Sequence, residues 1–243
     1  MEHWIVSDPG CVRTSNQDAV AVAQLDKNTL LCVVCDGMGG AKSGDVASAL
    51  AVDVFTQEVK CSWKSDMDED AVAQMLHNAL KLANFTVYDQ SCQFAEFSGM
   101  GTTLVAALVQ NKTVTVLNVG DSRAYAIDEE GISQITVDHS LVQLMVNRGE
   151  LTPEQARSYP GKNYITRAVG TESTTEGDLF TCQLERGTYL LLCSDGLTNL
   201  LDDQEILFEV IHGMDKQACC QTLVDIAKRR GAPDNVTCVL IEL

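Results

Sequence analysis

The secondary-structure signals of this chain come in blocks, several strands and then several helices, and this order limits the possible folds more than any other feature of the sequence. Apolar runs predict strands near residues 2–7, 19–25 and 30–35. Helical spacing follows over 44–60 and 68–91. A parallel sheet requires a helix after nearly every strand, so the blocks favour antiparallel sheets covered by helices.

The second half of the chain continues in the same way. Two β-hairpins are predicted over 103–119 and 123–135, because short turn sequences separate their apolar runs. The remaining predicted elements are helices at 140–148, 203–211 and 215–230 and strands at 178–184, 188–193 and 235–243. No repeat or Pro/Gly/Ser-rich linker interrupts them, so residues 1–243 are predicted to form one domain.

Residues 148–164 differ from the rest, because they are polar and rich in turn formers. The sequence Thr152-Pro153-Glu154-Gln155 has the form of a capping box with proline at the first helical position. It predicts a short helix within a surface flap rather than a part of the core.

The charge balance is strongly acidic, with 34 Asp and Glu against 17 Lys and Arg and a formal net charge of −17. Such a surface repels the phosphates of nucleic acids and anionic membranes, which excludes both as favoured partners. It would also repel a phosphorylated substrate, unless bound cations reverse the sign locally.

The sequence lacks signals for export or membrane insertion. The N-terminus, MEHW, has no basic residues followed by an apolar run, and no apolar stretch approaches about eighteen residues. We therefore predict a soluble, cytoplasmic protein.

Ten cysteines require an explanation, since the cytoplasm disfavours disulfides. Cys32 and Cys35 lie three apart in a predicted strand, so they point to opposite faces and cannot share a zinc ion. Cys219 and Cys220 lie in a helical pattern without a nearby histidine. We interpret the cysteines as small apolar core residues.

Four aspartates stand next to predicted strands. Asp36, Asp121 and Asp195 each follow an apolar strand at a predicted turn, and Asp234 precedes the final strand. Strand ends form a rigid rim that suits a preorganised site. Clustered carboxylates repel one another unless a cation joins them, and oxygen ligands favour Mg²⁺ or Mn²⁺. One Asp-Gly pair alone is more often a plain turn, but all four together indicate a metal site.

Arg13 is the other residue of interest. A guanidinium group can bind two phosphate oxygens at once. Taken alone, an arginine in this setting is more often a surface residue, so its role depends on what lies beside it.

Taken together, these motifs resemble the type 2C metal-dependent protein phosphatases, the PPM family, in their compact bacterial form. The resemblance extends nearly from end to end, and its specificity comes from the order of the motifs rather than from any one of them. The landmarks are Arg13, Asn16-Gln17-Asp18, Asp36-Gly37-Met38-Gly39-Gly40, Gly101-Thr102-Thr103, Asn118-Val119-Gly120-Asp121-Ser122-Arg123, Ser194-Asp195-Gly196 and Asp234-Asn235.

The resemblance implies an α+β fold, a four-layer α-β-β-α sandwich with helices flanking two central antiparallel sheets. It implies that Asp36, Asp195 and Asp234 hold two catalytic Mn²⁺ or Mg²⁺ ions, with Asp36 bridging them and the Gly37 carbonyl assisting. Asp121 together with Asp195 matches a third, weaker metal site.

The resemblance also assigns roles to two further side chains and to the reaction. Asp18 is expected to order water outside the metal ligands, and Arg13 to bind the substrate phosphate in catalysis. Two cations lower the pKa of a shared water and neutralise phosphoryl oxygens, so phosphoserine and phosphothreonine are hydrolysed without a covalent phosphoenzyme. The expected partners are phosphorylated proteins, among them a eukaryotic-like Ser/Thr kinase and its targets, and the expected state is a monomer.

Two positions depart from the pattern of some relatives. Animal-type members have a histidine after the Asp-Gly pair, proposed as the general acid, whereas this chain has Met38, which cannot donate a proton. Asn199 stands where some relatives have an aspartate ligand, which weakens the expected third site. Compact bacterial members commonly share both features.

Several other mechanisms are excluded by missing residues. A cysteine-dependent phosphatase needs an arginine six residues after the thiolate, a serine hydrolase needs Gly-x-Ser-x-Gly, and a zinc hydrolase needs paired histidines. The sequence contains none of these patterns. Two alternatives stay open, a regulatory module on the same fold and a phosphatase acting on small phosphoesters.

Overall fold

The computed structural model describes residues 1–39, 43–213 and 215–243 of the chain. The strands are β1 (Glu2–Asp8), β2 (Asp18–Asp26), β3 (Thr29–Met38), β4 (Gly101–Thr102), β5 (Leu104–Gln110), β6 (Thr113–Val119), β7 (Arg123–Asp128), β8 (Gly131–Gln134), β9 (Asp178–Gln183), β10 (Tyr189–Cys193) and β11 (Val236–Glu242). The α-helices are α1 (Gly44–Ser62), α2 (Glu69–Gln93), α3 (Leu141–Asn147), α4 (Pro153–Arg157), α5 (Asp195–Thr198), α6 (Asp203–His212) and α7 (Lys216–Arg229). Within the ranges described, no helix has the length and apolar character that crossing a membrane requires.

The strands form two antiparallel sheets, named here sheet A and sheet B. Sheet A has the order β1-β11-β10-β7-β8, and sheet B has the order β2-β3-β5-β6-β9, with β4 paired to the end of β3. The chain passes repeatedly from one sheet to the other. For example, β9 is an edge strand of sheet B, whereas β10, the next strand along the chain, is the centre of sheet A.

Three apolar layers hold the sheets and helices together. Between sheet B and α1 and α2 lie Leu31, Val33, Phe55, Leu76 and Leu104. Between the two sheets lie Leu30, Val105, Val116, Leu192 and Ile241. Between sheet A and α6 and α7 lie Tyr125, Leu191, Val210, Leu223 and Leu240. Each such buried side chain contributes about 1.5–3 kcal/mol. The result is the predicted four-layer α-β-β-α sandwich.

The strand β3 shows how the sequence builds this centre. Residues 29–35 are all buried, because one face of β3 packs on α1 and the other on sheet A. A strand buried on both faces reads as a continuous apolar run rather than an alternating one. Cys32 lies in the layer between the sheets and Cys35 in the layer beneath α1, which confirms that the two thiols point in opposite directions.

The interpretation of all cysteines as core residues is only partly confirmed. All ten are free thiols. Cys32, Cys35, Cys193, Cys219, Cys220 and Cys238 are buried as predicted, and Cys182 is partly buried. The prediction is wrong for Cys11, Cys61 and Cys92, which are exposed. The first of these lies in a loop, and the other two lie near the last turns of α1 and α2, so residue type alone did not reveal their exposure.

The backbone around two aspartates differs from the predicted turns. β3 does not end before Asp36 but continues to Met38, because its last residues pair with the two-residue strand β4. Gly40 of the predicted turn lies outside the described residues. Asp195 starts the short helix α5, in which Asn199 N donates to Asp195 O at 2.8 Å. A carboxylate in the first turn of a helix interacts favourably with the helix dipole.

The segment 148–164 contains α4 and the turns on either side of it. The predicted capping box is confirmed, because Thr152 N donates to Gln155 Oε1 at 2.8 Å and Gln155 N donates to Thr152 Oγ1 at 3.3 Å. Neither α3 nor α4 has a buried residue. These helices therefore lie outside the three apolar layers, and the role of 148–164 as a flap stays a prediction.

Candidate metal centre and phosphate-binding site

Asp36 lies near the end of β3, and neighbouring residues hold its main chain on both sides. Asp36 N donates to Thr103 Oγ1 at 2.9 Å, and Asp36 O accepts from Thr103 N at 2.9 Å and from Thr102 Oγ1 at 2.8 Å. Thr103 Oγ1 also lies 2.8 Å from Ser122 Oγ. These bonds fix the direction in which the Asp36 carboxylate leaves the sheet.

Asp195 lies two residues after β10 and Asp234 two residues before β11, which are neighbouring strands of sheet A. The end of β10 pairs with the beginning of β11, so the residue after one strand and the residue before the other lie at the same edge. Gly196 makes this approach possible, because a Cβ atom there would lie 1.9 Å from Asn235 O. The two carboxylates are thus placed by strand pairing and by one glycine.

The carboxylates of the two sheets meet at this edge. The carboxylates of Asp36 and Asp195 lie close enough to repel each other. Burial, and then repulsion from Asp18 and Asp195, raises the pKa of Asp36 well above its usual value. Burial is also the main cause that raises the pKa of Asp195, with repulsion from Asp234 adding to it. The site therefore favours an added positive charge.

Asp121 follows β6 and interacts with Asp195. Burial, and then repulsion from Asp195 and Asp138, raises the pKa of Asp121 to about 8. Asp121 and Asp195 line a cavity of about 540 Å³ whose other walls include residues of α3, α4 and α6. Asn199 lines the same cavity and donates Nδ2 to Asp195 Oδ2 at 2.8 Å.

Asp18 begins β2 directly opposite Asp36. Its Oδ2 atom accepts a hydrogen bond from Ser194 Oγ at 2.8 Å, and burial raises the pKa of Asp18 to about 7. Within the described part of the chain, its buried Oδ1 atom has no hydrogen-bond partner. A buried polar atom without a partner is uncommon and indicates a place for a water or a cation.

Arg13 extends over the same site from the loop before β2. Its Nη2 atom donates to Asp234 Oδ2 at 2.8 Å, and it also interacts electrostatically with Asp36 and Asp195. Its side chain is 48% exposed, so the guanidinium group is open to a ligand from solvent. The structure therefore brings the predicted arginine and the predicted carboxylates to one place.

Comparison with known proteins assigns this arrangement to a family. A family model described as protein phosphatase 2C matches residues 12–226. This chain belongs to the protein phosphatase 2C family. The family consists of metal-dependent Ser/Thr phosphatases, and the predicted resemblance is confirmed.

The phosphatase is similar to bacterial members over nearly its whole length. It is 34% identical over 241 residues to the serine/threonine phosphatase stp of Listeria monocytogenes, which is 97% of this chain and 93% of that protein. It is 35% identical over 246 residues to the protein phosphatase PhpP of Streptococcus pneumoniae, with 100% and 98% covered. The crystal structure of serine/threonine phosphatase Stp1 from Staphylococcus aureus is 38% identical with a TM-score of 0.94, and the match covers 100% of this chain and 95% of that one.

The donor set of this phosphatase fits hydrated divalent cations. Among the residues that the structure describes, no three His, Cys, Asp or Glu side chains are grouped so that they could hold an ion by themselves. Instead, Asp234 binds Arg13 and Asp195 binds Asn199. Mg²⁺ and similar hard ions keep several waters and need few carboxylates, so a closed cage is unnecessary. The raised pKa values and the unpartnered Asp18 Oδ1 fit such ions.

Gly37 lies where two main chains pack closely. A Cβ atom at Gly37 would lie 2.0 Å from Gly44 O at the start of α1. Gly37 N donates to Gln17 O at 3.1 Å. Only glycine permits this approach, which fixes the position of the Gly37 carbonyl beside Asp36.

Met38 has no proton to donate to a leaving group. It lines a second cavity of about 390 Å³, whose remaining lining residues belong to the segment 165–176. The structure thus places the methionine at the edge of the site without giving it an acid function.

Sequence reasoning missed the residues that support the aspartates. Thr103 holds Asp36, and Ser194 holds Asp18. Both lie in landmark motifs, in which the charged residues are the conspicuous ones. A hydroxyl residue next to a metal-site carboxylate in the sequence could have indicated such a supporting role, because hydrogen bonds from residues around the ligands orient those ligands.

Proposed function

We propose that this phosphatase hydrolyses phosphoserine and phosphothreonine in proteins at a binuclear Mn²⁺ or Mg²⁺ centre. Asp36, Asp195 and Asp234 would hold the two ions, with the Gly37 carbonyl assisting. Asp121 and Asp195 form a third, weaker site. When bound, the ions supply an acidified water and positive charge for the phosphoryl oxygens, so no covalent phosphoenzyme is required.

One observation carries this proposal, the convergence of four carboxylates from both sheets at one edge. Burial and mutual repulsion raise the pKa values of Asp18, Asp36 and Asp195. Arg13 pairs with this cluster through Asp234. Divalent cations are the ligands that such a site favours.

The chain's own side chains supply orientation and charge. Arg13 grips the substrate phosphate with its exposed guanidinium group, which can form two parallel hydrogen bonds to phosphoryl oxygens. Asp18 Oδ1 accepts a hydrogen bond from an ordered water, because Oδ2 is already held by Ser194. Met38 cannot protonate the leaving serine or threonine oxygen, so that proton comes from water or from another group.

The proposal extends to partners and location. We infer that the substrates are phosphorylated proteins, including a eukaryotic-like Ser/Thr kinase and its targets, and that the enzyme acts as a cytoplasmic monomer. Ten free thiols support a reducing compartment. The net charge of −17 supports the absence of nucleic acid and anionic membrane among its partners.

The deciding experiment is hydrolysis of a phosphothreonine peptide by metal-stripped protein, with and without added Mn²⁺. We expect phosphate release only with metal. The variant Asp53→Asn removes an exposed carboxylate on α1. It should behave like the wild type in this assay, and it therefore controls for general charge effects. Mn²⁺ binding without release would favour the regulatory module, and neither binding nor release would contradict the metal site itself.

A second assay separates a protein phosphatase from an enzyme for small phosphoesters. The value of kcat/KM for the phosphothreonine peptide is expected to exceed that for p-nitrophenyl phosphate. A preference for the small ester would contradict the assignment to protein substrates while leaving the metal chemistry intact.

A further inference from the structure

Arg13 lies in a loop that has little support of its own. Residues 9–17 form neither helix nor strand, and residues 11–15 are all exposed. An arginine on such a loop would ordinarily be mobile, and mobility weakens a phosphate contact because the side chain must be ordered on binding. Something outside the loop must therefore fix it.

Asn235 provides this support with one buried side chain, only 2% exposed. Its Oδ1 atom accepts from Gln17 N at 2.8 Å. Its Nδ2 atom donates to Pro9 O at 2.9 Å and to Ser15 O at 3.0 Å. Three hydrogen bonds thus hold both ends of the loop, from a residue more than 200 positions away in the chain.

The main chain around Asn235 adds to this connection. Cys11 N donates to Ala232 O at 2.9 Å. Gly10, with φ +78°, packs so closely that a Cβ atom there would lie 2.2 Å from Asp234 O. The loop is therefore attached along the segment 232–235, which carries the metal-site residue Asp234.

The same side chain also joins the loop to the other carboxylates. Gln17, whose N–H binds Asn235, precedes Asp18, and Gln17 O accepts from Gly37 N at 3.1 Å. Asn235 O lies against Gly196, next to Asp195. Asn235 therefore contacts the loop of Arg13 and the segment of Asp195, and it is connected to the segment of Asp36 through Gln17.

We propose that Asn235 is a positioning residue that holds the phosphate-binding Arg13 in register with the metal-site carboxylates. This inference rests on the proposed role of Arg13 in phosphate binding. Productive geometry tolerates displacements of only about 0.5 Å, so loosening the loop weakens substrate binding even when the carboxylates are intact.

The test is Asn235→Ala, alone and combined with Arg13→Ala, in the Mn²⁺-loaded enzyme. We expect KM for a phosphothreonine peptide, and Ki for inorganic phosphate, to rise on the order of tenfold, with a smaller change in kcat. The double variant is expected to match Arg13→Ala alone, because Asn235 acts through Arg13. The proposal would be overturned if Asn235→Ala left KM unchanged. It would also be overturned if the KM increases of the two single variants multiplied in the double variant.

A second readout does not depend on activity. Trypsin cleavage after Arg13 is expected to be faster in Asn235→Ala than in the wild type. Val210→Ala, which removes buried volume from the layer beneath α6, is the control for a general loss of stability. Equal cleavage of Asn235→Ala and Val210→Ala would contradict the proposal. A wild type that is inactive, but whose loop resists trypsin better than the loop of Asn235→Ala, would count only against the proposed function.

Asn235→Asp keeps the test valid if the alanine variant does not fold. It has the same shape and retains the acceptor for Gln17 N, but it loses both donors to Pro9 and Ser15. Faster cleavage after Arg13 together with a raised Ki for phosphate is expected. Wild-type values of both would overturn the proposal.

Discussion

Asp18 and Asp36 lie directly opposite each other in the antiparallel register of β2 and β3. Like charges at opposite positions of paired strands destabilise a sheet. Burial is the main cause that raises the pKa of both carboxyls, and repulsion from Asp18 adds to the shift at Asp36. The fold thus keeps an unfavourable pair at the place where a divalent ion would relieve it.

Asp36→Asn is expected to separate activity from stability. Activity should fall by on the order of a hundredfold or more, as when a single electrostatic group is removed from an active site. The metal-free variant should nevertheless melt at a higher temperature than the metal-free wild type, since one buried charge of the opposed pair is gone. Thermal unfolding in chelator and peptide hydrolysis in Mn²⁺ measure the two effects.

Asp53→Asn on the surface of α1 serves as the control and should change neither quantity. A metal-free Asp36→Asn protein that melts below the wild type would show that the opposed pair is not repulsive. Wild-type activity in this variant would contradict its assignment as a metal ligand.

Arg13→Ala is expected to raise KM for a phosphopeptide by about tenfold or more, with a smaller effect on kcat, because a charge-assisted contact to phosphate is worth roughly 1.5–3 kcal/mol. Steady-state kinetics at saturating Mn²⁺ measure both constants. Arg13→Lys should recover only part of the loss, since lysine cannot form the two parallel bonds.

The matched control for Arg13 is Arg186→Ala, an exposed arginine near the opposite end of β11 from Asp234. It removes the same charge and should leave KM unchanged. Equal effects of the two substitutions would reduce the role of Arg13 to a general electrostatic one.

Asn199→Asp is expected to strengthen the third metal site. Asn199 donates to Asp195 and lines the cavity that contains Asp121, so a carboxylate there adds an oxygen ligand. Mn²⁺ titration by calorimetry should show tighter binding of the weakest ion, and the metal-free variant should be less stable because a donor has become a like charge.

Adding Asp121→Asn to this variant provides the control, because it should remove the gain in Mn²⁺ affinity. If the gain survives, the third ion does not lie between these residues. If Asn199→Asp binds Mn²⁺ no more tightly than the wild type does, Asn199 does not limit the metal affinity of the third site.

Much of the fold could be predicted because its elements follow from local patterns. β3 is a continuous apolar run, and both of its faces are buried as such a run indicates. The capping box at Thr152 was predicted from four residues. What could not be predicted was pairing with distant short segments, such as β4, which extends β3 through Asp36 to Met38. Long-range pairing leaves little trace in local sequence.

The candidate site shows the same division. Asp36, Asp121, Asp195 and Asp234 could be selected because a charge beside an apolar strand is conspicuous. The role of Asn235 could not, because a buried amide is recognised only by the loop that it binds. Convergence of the two sheets also depends on glycine contacts that no periodicity reveals.

The segment 148–164 is expected to influence which phosphoproteins bind. Tyr164 at its end is 69% exposed, and Leu144 in the neighbouring helix α3 is 41% exposed. Their chain neighbours Asn163 and Gln143 line the 540 Å³ cavity that contains Asp121 and Asp195, so both offer apolar surface beside residues of that cavity. Tyr164→Ala should therefore lower kcat/KM for a phosphopeptide several-fold while leaving that for p-nitrophenyl phosphate nearly unchanged, because a small ester does not reach this surface.

Phe85→Ala is the control for Tyr164→Ala, since Phe85 is an aromatic residue of comparable exposure, 59%, on the outer face of α2. Phe85→Ala should leave kcat/KM unchanged for both substrates. If Tyr164→Ala lowered kcat/KM equally for both substrates, the tyrosine would support the catalytic centre itself. No loss on either would show that substrate proteins contact another part of the surface, and the flap would then have no part in substrate choice.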